Sequence, residues 1–190
     1  MLDKVGVLAI QGDFEKHIDA LTRAGKPADQ ILEVRTPQEL DQVERLIIPG
    51  GESTTVALLM QMVGLDQHII KRASNGMPIW GTCMGMIMLA TQIEGRPQFS
   101  LGLLDITIQR NAFGAQVHSF ETSLPFLGLD SPLEAVFIRA PIVTQVGPDV
   151  QILAEYEGKV VAVQQNKVIG TSFHPELTTD TRLHQKFLGL

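Results

Sequence analysis

Three short, nearly continuous apolar runs, Val5–Ile10, Arg45–Ile48 and Met77–Trp80, each end at a glycine-bearing turn, and each is followed by apolar residues at helical spacing. A run that is continuous rather than alternating is the pattern of a strand covered on both faces. After Gln11-Gly12, residues Phe14, Ile18 and Leu21 recur at helical spacing and Gly25 supplies a stop. Ile31–Val34 reads as another strand. Beyond it Thr36 can cap, Pro37 suits the first helical position and Glu39 completes a capping box. Ser53 or Thr54 can cap a helix carrying Val56, Leu59, Met60 and Val63, and a further helical stretch runs from Asp66 to about Ser74. Strands alternating with helices over the first ninety residues argue for βαβ units and a mainly parallel sheet.

From Leu103 the texture changes. Leu104–Gln109, Ala135–Ile138, Ile142–Val146, Gln151–Tyr156, Val160–Gln164 and Val168–Phe173 are close-set strands, with turns at Glu157-Gly158 and Asn166-Lys167. We read them as antiparallel additions to the same sheet. The last segment, from Asp180, carries Leu183, Phe187 and Leu188 on one helical face that packs back on the sheet. With 190 residues, no repeat and no linker, one domain spanning 1–190 is expected.

A chain of this length can hold a core without disulfides, and the single cysteine allows neither an internal disulfide nor a multi-thiolate zinc site. One free thiol suits a reducing cytoplasm. The net charge of -6 argues against nucleic acid or anionic lipid as partners. No targeting segment is visible at the start, and the longest apolar stretch, Pro78 to Ala90, falls short of the roughly 20 residues a membrane span needs.

The chemistry concentrates in Gly81-Thr82-Cys83-Met84-Gly85, where a strand enters a helix. Gly-x-Cys-x-Gly has the form of a nucleophile elbow, whose small flanking residues permit a sharp turn that exposes the middle side chain. The adjacent helix N-terminus favours negative charge on sulfur and can bind the oxyanion of an acyl-transfer intermediate. A thiol nucleophile needs a base, and the candidates are His17, His68, His118, His174 and His184. His174 ends an apolar strand and begins His174-Pro175-Glu176, where proline keeps it extended, so that residues 174 and 176 can project on the same side. Glu176 can then fix the imidazole tautomer, the third role of a triad. His17, His68 and His184 sit in amphipathic helical stretches as solvated or interfacial residues, and His118 lies in a polar loop. The turn Pro49-Gly50-Gly51-Glu52-Ser53-Thr54-Thr55 lacks the lysine of a phosphate-binding loop. It reads either as a plain helix cap or as a backbone approach to an oxyanion, with Glu52 and Ser53 offering hydrogen bonds to a polar substrate.

Taken together, Gly-Thr-Cys-x-Gly, His-Pro-Glu and Pro-Gly-Gly-Glu-Ser resemble the triad (class I) glutamine amidotransferases. Gly6–Gly12, Pro49–Thr55, Arg110-Asn111-Ala112-Phe113-Gly114, Phe137–Pro141 and Phe173–Leu177, with Asp180, Arg182 and His184, narrow the resemblance to the glutaminase subunits of pyridoxal 5′-phosphate synthase. The resemblance spans essentially the whole chain. It implies a three-layer, flavodoxin-like α/β fold, a central mainly parallel sheet with antiparallel additions and helices on both faces. It also implies that Cys83 attacks the carboxamide of L-glutamine, that His174 shuttles protons and that Glu176 orients it. The backbone of Gly51 and Met84 would form the oxyanion hole. Gly51, Glu52, Ser53, Arg110, Ile138 and Arg139 would hold glutamine, an arginine suiting its α-carboxylate through a forked donor pair. Gln11 would lie at the interface with a (β/α)₈ synthase subunit, whose docking in a hetero-oligomeric complex activates the glutaminase and consumes its ammonia. No cofactor or metal is implied for this chain, since pyridoxal phosphate is the product of the complex.

The chain departs from the family pattern at Met84, where a small residue is usual, and at Ala115 and His118, which replace an arginine and an aspartate. The alternatives are a γ-glutamyl hydrolase-like cysteine hydrolase on the same fold and a non-catalytic flavodoxin-like regulatory module. Substrate preference separates the first, and a Cys83 inert to a glutamine-like affinity label marks the second.

Overall fold

The computed structural model describes residues 3–95, 97–113 and 119–190. In chain order the elements are β1 (Val5–Leu8), α1 (Phe14–Arg23), β2 (Ile31–Val34), α2 (Pro37–Leu40), β3 (Arg45–Ile48), α3 (Ser53–Met62), α4 (Leu65–Ser74), β4 (Ile79–Thr82), α5 (Met84–Leu89) and β5 (Ala90–Ile93). They continue as β6 (Leu104–Gln109), β7 (Ser119–Leu124), β8 (Leu133–Ile138), β9 (Ile142–Val146), β10 (Gln151–Tyr156), β11 (Lys159–Gln165), β12 (Val168–Thr171) and α6 (Arg182–Leu188).

A ten-stranded sheet runs β2-β1-β3-β4-β12-β11-β9-β6-β5, with β10 paired to β11 off this path. From β2 to β12 every pairing is parallel, and β11, β9 and β6 extend the sheet antiparallel. Both faces are covered, which is why the central strands read as unbroken apolar runs: successive side chains of a strand leave on opposite sides. On β3, Leu46 and Ile48 join a core with Val56 and Met60 of α3, Ile69 of α4 and Leu89 of α5. Ile47 faces the other way, into a second core with Leu21 of α1, Trp80, Phe137, and Leu183 and Phe187 of α6. Burying each such Leu or Ile side chain contributes about 1.5–3 kcal/mol. The three-layer α/β reading therefore holds.

The capping box at α2 forms as the sequence predicts: Thr36 accepts from the Glu39 N–H while the Glu39 side chain accepts from the Thr36 N–H. The α3 cap is different. Glu52, not Ser53 or Thr54, is the N-cap, its carboxylate accepting from the Thr54 and Thr55 N–H groups at 3.1 and 2.7 Å. The buried stripe of α3 is Ser53, Val56, Ala57 and Met60, leaving Leu59 and Val63 exposed. β4 begins and ends two residues later than the apolar run suggests, because the parallel register with β12 pairs Gly81 and Thr82 with Gly170 and Thr171.

Two strands have no clear sequence signal. β5 directly continues the apolar stretch of α5 and pairs parallel with β6. β7 is largely polar, and with β8 it forms a separate two-stranded sheet instead of adding to the main one. That ribbon is held to the second core by aromatic packing. Phe120 and Phe137 are cross-strand partners stacked at 4.7 Å with planes 8° apart, and Phe137 also meets Phe173 at 5.6 Å.

Candidate active site

Cys83 occupies the junction of β4 and α5 with φ 51° and ψ −107°. A non-glycine residue in such a conformation costs about 1–3 kcal/mol and persists only where the surroundings hold it. The Cys83 N–H donates to the Thr171 carbonyl at 2.7 Å, tying the bend to β12. The flanking glycines are demanded by close backbone approach. A Cβ on Gly85 would fall 1.9 Å from the Ile48 carbonyl oxygen, and one on Gly81 would fall 2.4 Å from the Gly85 carbonyl. With hydrogen in those places, α5 starts directly over the carboxyl ends of β3 and β4.

Because β12 lies beside β4, the chain leaving β12 passes Cys83 and delivers His174. The His174 N–H donates to the Val136 carbonyl at 2.8 Å, and Pro175 then opens a single 3₁₀ turn, Pro175–Leu177. That turn folds Glu176 back so that its Oε1 accepts from His174 Nδ1 at 2.7 Å. The geometry leaves the other ring nitrogen for the thiol. Burial by itself would lower the His174 pKa, but hydrogen bonds to Cys83 and Glu176 outweigh it and raise it to about 10. Burial acts to raise Glu176, but the neighbouring His17 and the His174 hydrogen bond win and hold it below the ordinary carboxylate value. Imidazole and carboxylate are thus joined behind the thiol's cleft, with the carboxylate only 2% exposed.

A cleft of about 340 Å³ opens over Cys83 and His174. Gly51, Glu52, Ser53, Met84, Arg110, Ile138 and Arg139 all line it, so the residues expected to hold glutamine converge there. The Ile138 carbonyl stands 3.8 Å from Cys83 Sγ. The β7–β8 ribbon is what brings Ile138 and Arg139 over Cys83. Capping hydrogen bonds from Thr55 and then Thr54 depress Glu52 to about 2, so it carries full negative charge at the rim. Met84, the departure beside the nucleophile, is 2% exposed and forms part of the cleft floor. The Gln11 side chain does not line the cleft; its Oε1 accepts from the Glu52 N–H at 2.9 Å and so buttresses the Gly51 turn from behind. Ala115 and His118 lie outside the described residues.

Other residues reach the site with little sequence signal. Asp13, Ile87 and Asn111 also line the cleft. Gln98 accepts at one oxygen from both Arg110 Nη1 (2.8 Å) and Ser53 Oγ (3.2 Å), joining two glutamine-binding candidates. The expectation that His17 and His184 are solvated or interfacial fails: both are 0% exposed, because α1 and α6 pack together beneath Glu176. Only His68 matches it, half-buried on α4 and 2.7 Å from Asp41.

Fold and site together define a class: a doubly covered α/β sheet with a thiol, an imidazole and a carboxylate gathered at the carboxyl ends of its central strands. The chain belongs to the SNO glutamine amidotransferase family, whose sequence pattern matches residues 7–189. It is 53% identical to the pyridoxal 5′-phosphate synthase subunit PdxT of Roseiflexus sp. (strain RS-1), over 98% of this chain and 99% of that one. Identity to the same-named subunit of Thermotoga maritima is 46%, over 98% of each chain. A crystal structure of a glutamine amidotransferase superposes with a TM-score of 0.92 at 46% identity, covering 97% of both chains. PurLQS from Thermotoga maritima shares the fold at a TM-score of 0.70 and 19% identity, over 100% of this chain and 99% of that one.

Proposed function

We propose that this chain is the glutaminase subunit of a pyridoxal 5′-phosphate synthase, hydrolysing L-glutamine to L-glutamate and ammonia. The observation that carries this reading is the Cys83 bend and His174 lining one cleft, with the buried Glu176 hydrogen-bonded behind the imidazole. In the reaction the Cys83 sulfur attacks the carboxamide carbon, with its proton held by His174. Negative charge developing on the carbonyl oxygen is met by backbone N–H groups of Met84, in the unpaired first turn of α5, and of Gly51. His174 returns the proton to the amide nitrogen, the C–N bond breaks, and ammonia leaves a γ-glutamyl thioester on Cys83. Water, deprotonated by the same imidazole, then cleaves the C–S bond and releases glutamate.

Glu176 keeps the imidazole in the tautomer that presents Nε2 to sulfur and stabilises its charged state. Arg110 and Arg139 suit the α-carboxylate of glutamine, and Glu52 suits its ammonium group. Ser53 and the Ile138 backbone complete the substrate contacts, and Gln11 links the Gly51 turn to the docking surface of the synthase subunit. The ammonia passes to that partner, a (β/α)₈ chain that combines it with a pentose phosphate and a triose phosphate. The whole chain serves as one glutaminase domain. Among the described residues no helix is long and apolar enough to cross a membrane, and a nucleophilic thiol suits the reducing cytoplasm.

The test is glutamate release from glutamine by the chain alone and with its synthase subunit. A rate that rises on adding the partner and vanishes in Cys83→Ala is the expected result. Turnover by Cys83→Ala would sink the mechanism, and hydrolysis of γ-glutamyl peptides in preference to glutamine would redirect it to a γ-glutamyl hydrolase.

A further inference from the structure

Behind the triad lies a buried pair of histidines that the reaction above does not use. His17 Nε2 stands 3.4 Å from Glu176 Oε2 and 3.0 Å from Thr82 Oγ1, while His17 Nδ1 stands 3.1 Å from His184 Nε2. Glu176 Oε2 is buried and has no hydrogen-bond partner of normal geometry among the described residues, so the His17 edge is the polar group that faces it. Trp80 walls the pair, its ring 5.9 Å from His17 and 4.9 Å from His184.

Burial lowers both histidines, so each ring is neutral and carries one N–H. The titratable and charged groups facing His17 are Glu176, His174 and Asp13, and those facing His184 are His17, Glu176, Arg23 and Asp180. A carboxylate cannot donate, so the His17 proton belongs on Nε2, between Glu176 and Thr82. His17 Nδ1 must then accept, and the His184 proton belongs on Nε2. Among the described residues His184 Nδ1 is buried without a partner, so the chain of donors ends there. Two neutral imidazoles in an aromatic-walled pocket cost more to bury than apolar side chains of the same volume. What they supply in return is a single directed set of N–H groups ending on the triad carboxylate.

We infer that His17, with its tautomer fixed by His184, is a positioning residue for glutamine hydrolysis: it holds the second oxygen of Glu176, keeping that carboxylate ionised and aimed at His174. This rests on the triad reading proposed above. His17 touches neither sulfur nor substrate, so its removal acts on kcat and on the titration of His174, with little effect on KM. A weaker Glu176 stabilises the imidazolium less, and the alkaline limb of the rate profile, where His174 loses its proton, moves to lower pH.

The experiment measures kcat and KM for glutamine across pH 6–10 in the complex with the synthase subunit, for wild type, His17→Leu, His17→Gln, His17→Asn and Cys83→Ala. In His17→Leu we expect kcat to fall about ten- to a hundred-fold, the loss of the one N–H that faces the second oxygen of a buried carboxylate. KM should stay within about two-fold, and the alkaline limb should drop by about one pH unit. Gln places an amide N–H where Nε2 stood and restores most of the activity, whereas Asn reaches only the Nδ1 position and does not. If His17→Leu fails to fold, the contrast between Gln and Asn decides. Unchanged kcat and limb in a folded His17→Leu, or equal losses in Gln and Asn, overturn the inference. Cys83→Ala separates the two readings: if it is inactive, the triad stands whatever His17 does, and if it turns over, both fail.

Discussion

Replacing Glu176 with glutamine leaves the number of heavy atoms unchanged and alters little volume, yet the structure makes it a severe test of the triad. The carboxylate is 2% exposed and lies between two imidazole edges, His174 Nδ1 at 2.7 Å and His17 Nε2 at 3.4 Å. Each presents an N–H. A glutamine amide has one acceptor oxygen, so its NH₂ must confront one of the two donors. Losing the charge on the acceptor costs about 1–2 kcal/mol, the difference between charged and neutral hydrogen bonds, and a buried donor left unpaired costs about 1–3 kcal/mol more. If these act fully on the imidazolium-like transition state, kcat falls about 30- to 5,000-fold at 1.36 kcal/mol per factor of ten. Loss of the carboxylate from a related triad reaches about 10⁴, just above this range. The alkaline limb, which in wild type follows a His174 raised to about 10, should shift down. It should do so by about one unit. Because Glu176 lies behind the cleft and not in its wall, KM should barely change. The assay is glutamate release at saturating glutamine from pH 6 to 10, with the synthase subunit present. A Glu176→Gln protein that keeps kcat within about three-fold of wild type, with its alkaline limb unmoved, would refute the reasoning.

Two further outcomes concern stability. Gly85→Ala places a Cβ 1.9 Å from the Ile48 carbonyl oxygen, a backbone atom that cannot swing aside. Destabilisation should exceed about 3 kcal/mol, the upper end of ordinary overpacking. Urea unfolding followed by the single tryptophan, Trp80, measures it, and an unshifted midpoint would show that α5 does not sit as closely on β3 as described. The second outcome is a pH dependence. Burial depresses His184 to about 3 and lowers His17 from 6.5, so the folded state binds fewer protons than the unfolded chain. Their stabilising contribution is full above about pH 6.5 and is lost as pH falls towards 3. His174, raised to about 10, acts the opposite way: its contribution is full below pH 6.5 and is lost as pH rises through 10. Urea midpoints should therefore peak near neutrality and fall between pH 6.5 and 4.5, above the range where ordinary carboxylates protonate. A flat profile in that window contradicts two neutral buried histidines, and His184→Leu should reduce the slope.

The proposed nucleophile, its base and the orienting carboxylate are all readable in the amino-acid order, because each depends on a short local signal. Gly81 and Gly85 around Cys83 announce a sharp strand-to-helix bend, and Pro175 between His174 and Glu176 announces a tight turn at a strand end. Cleft residues that come from separate elements were reached by family resemblance, which supplies what spacing cannot. The misreadings share one cause. Glu52 displaced Ser53 and Thr54 as the α3 cap because Ser53 is drawn inward to Gln98, 45 residues away. The polar β7 gave no alternation strong enough to mark it, since its stability comes from Phe120 stacking on Phe137 of the neighbouring strand.

What the sequence determined by itself, then, is the set of local units: apolar strands that must be covered on both sides, capped helices, and a cysteine forced into a strained bend. Neighbouring residues settle these, because backbone sterics, capping bonds and side-chain periodicity act over a few positions. Tertiary structure alone decided which distant side chains meet. Strand order put β12 against β4 and so brought His174 to Cys83; the β7–β8 ribbon set Ile138 and Arg139 over the cleft. The packing of α1 on α6 joined His17 to His184 across 167 residues. Such meetings follow from the global minimum of burial and pairing, in which a histidine on an amphipathic helix lies in water or under a buried carboxylate according to what the opposite helix brings to it.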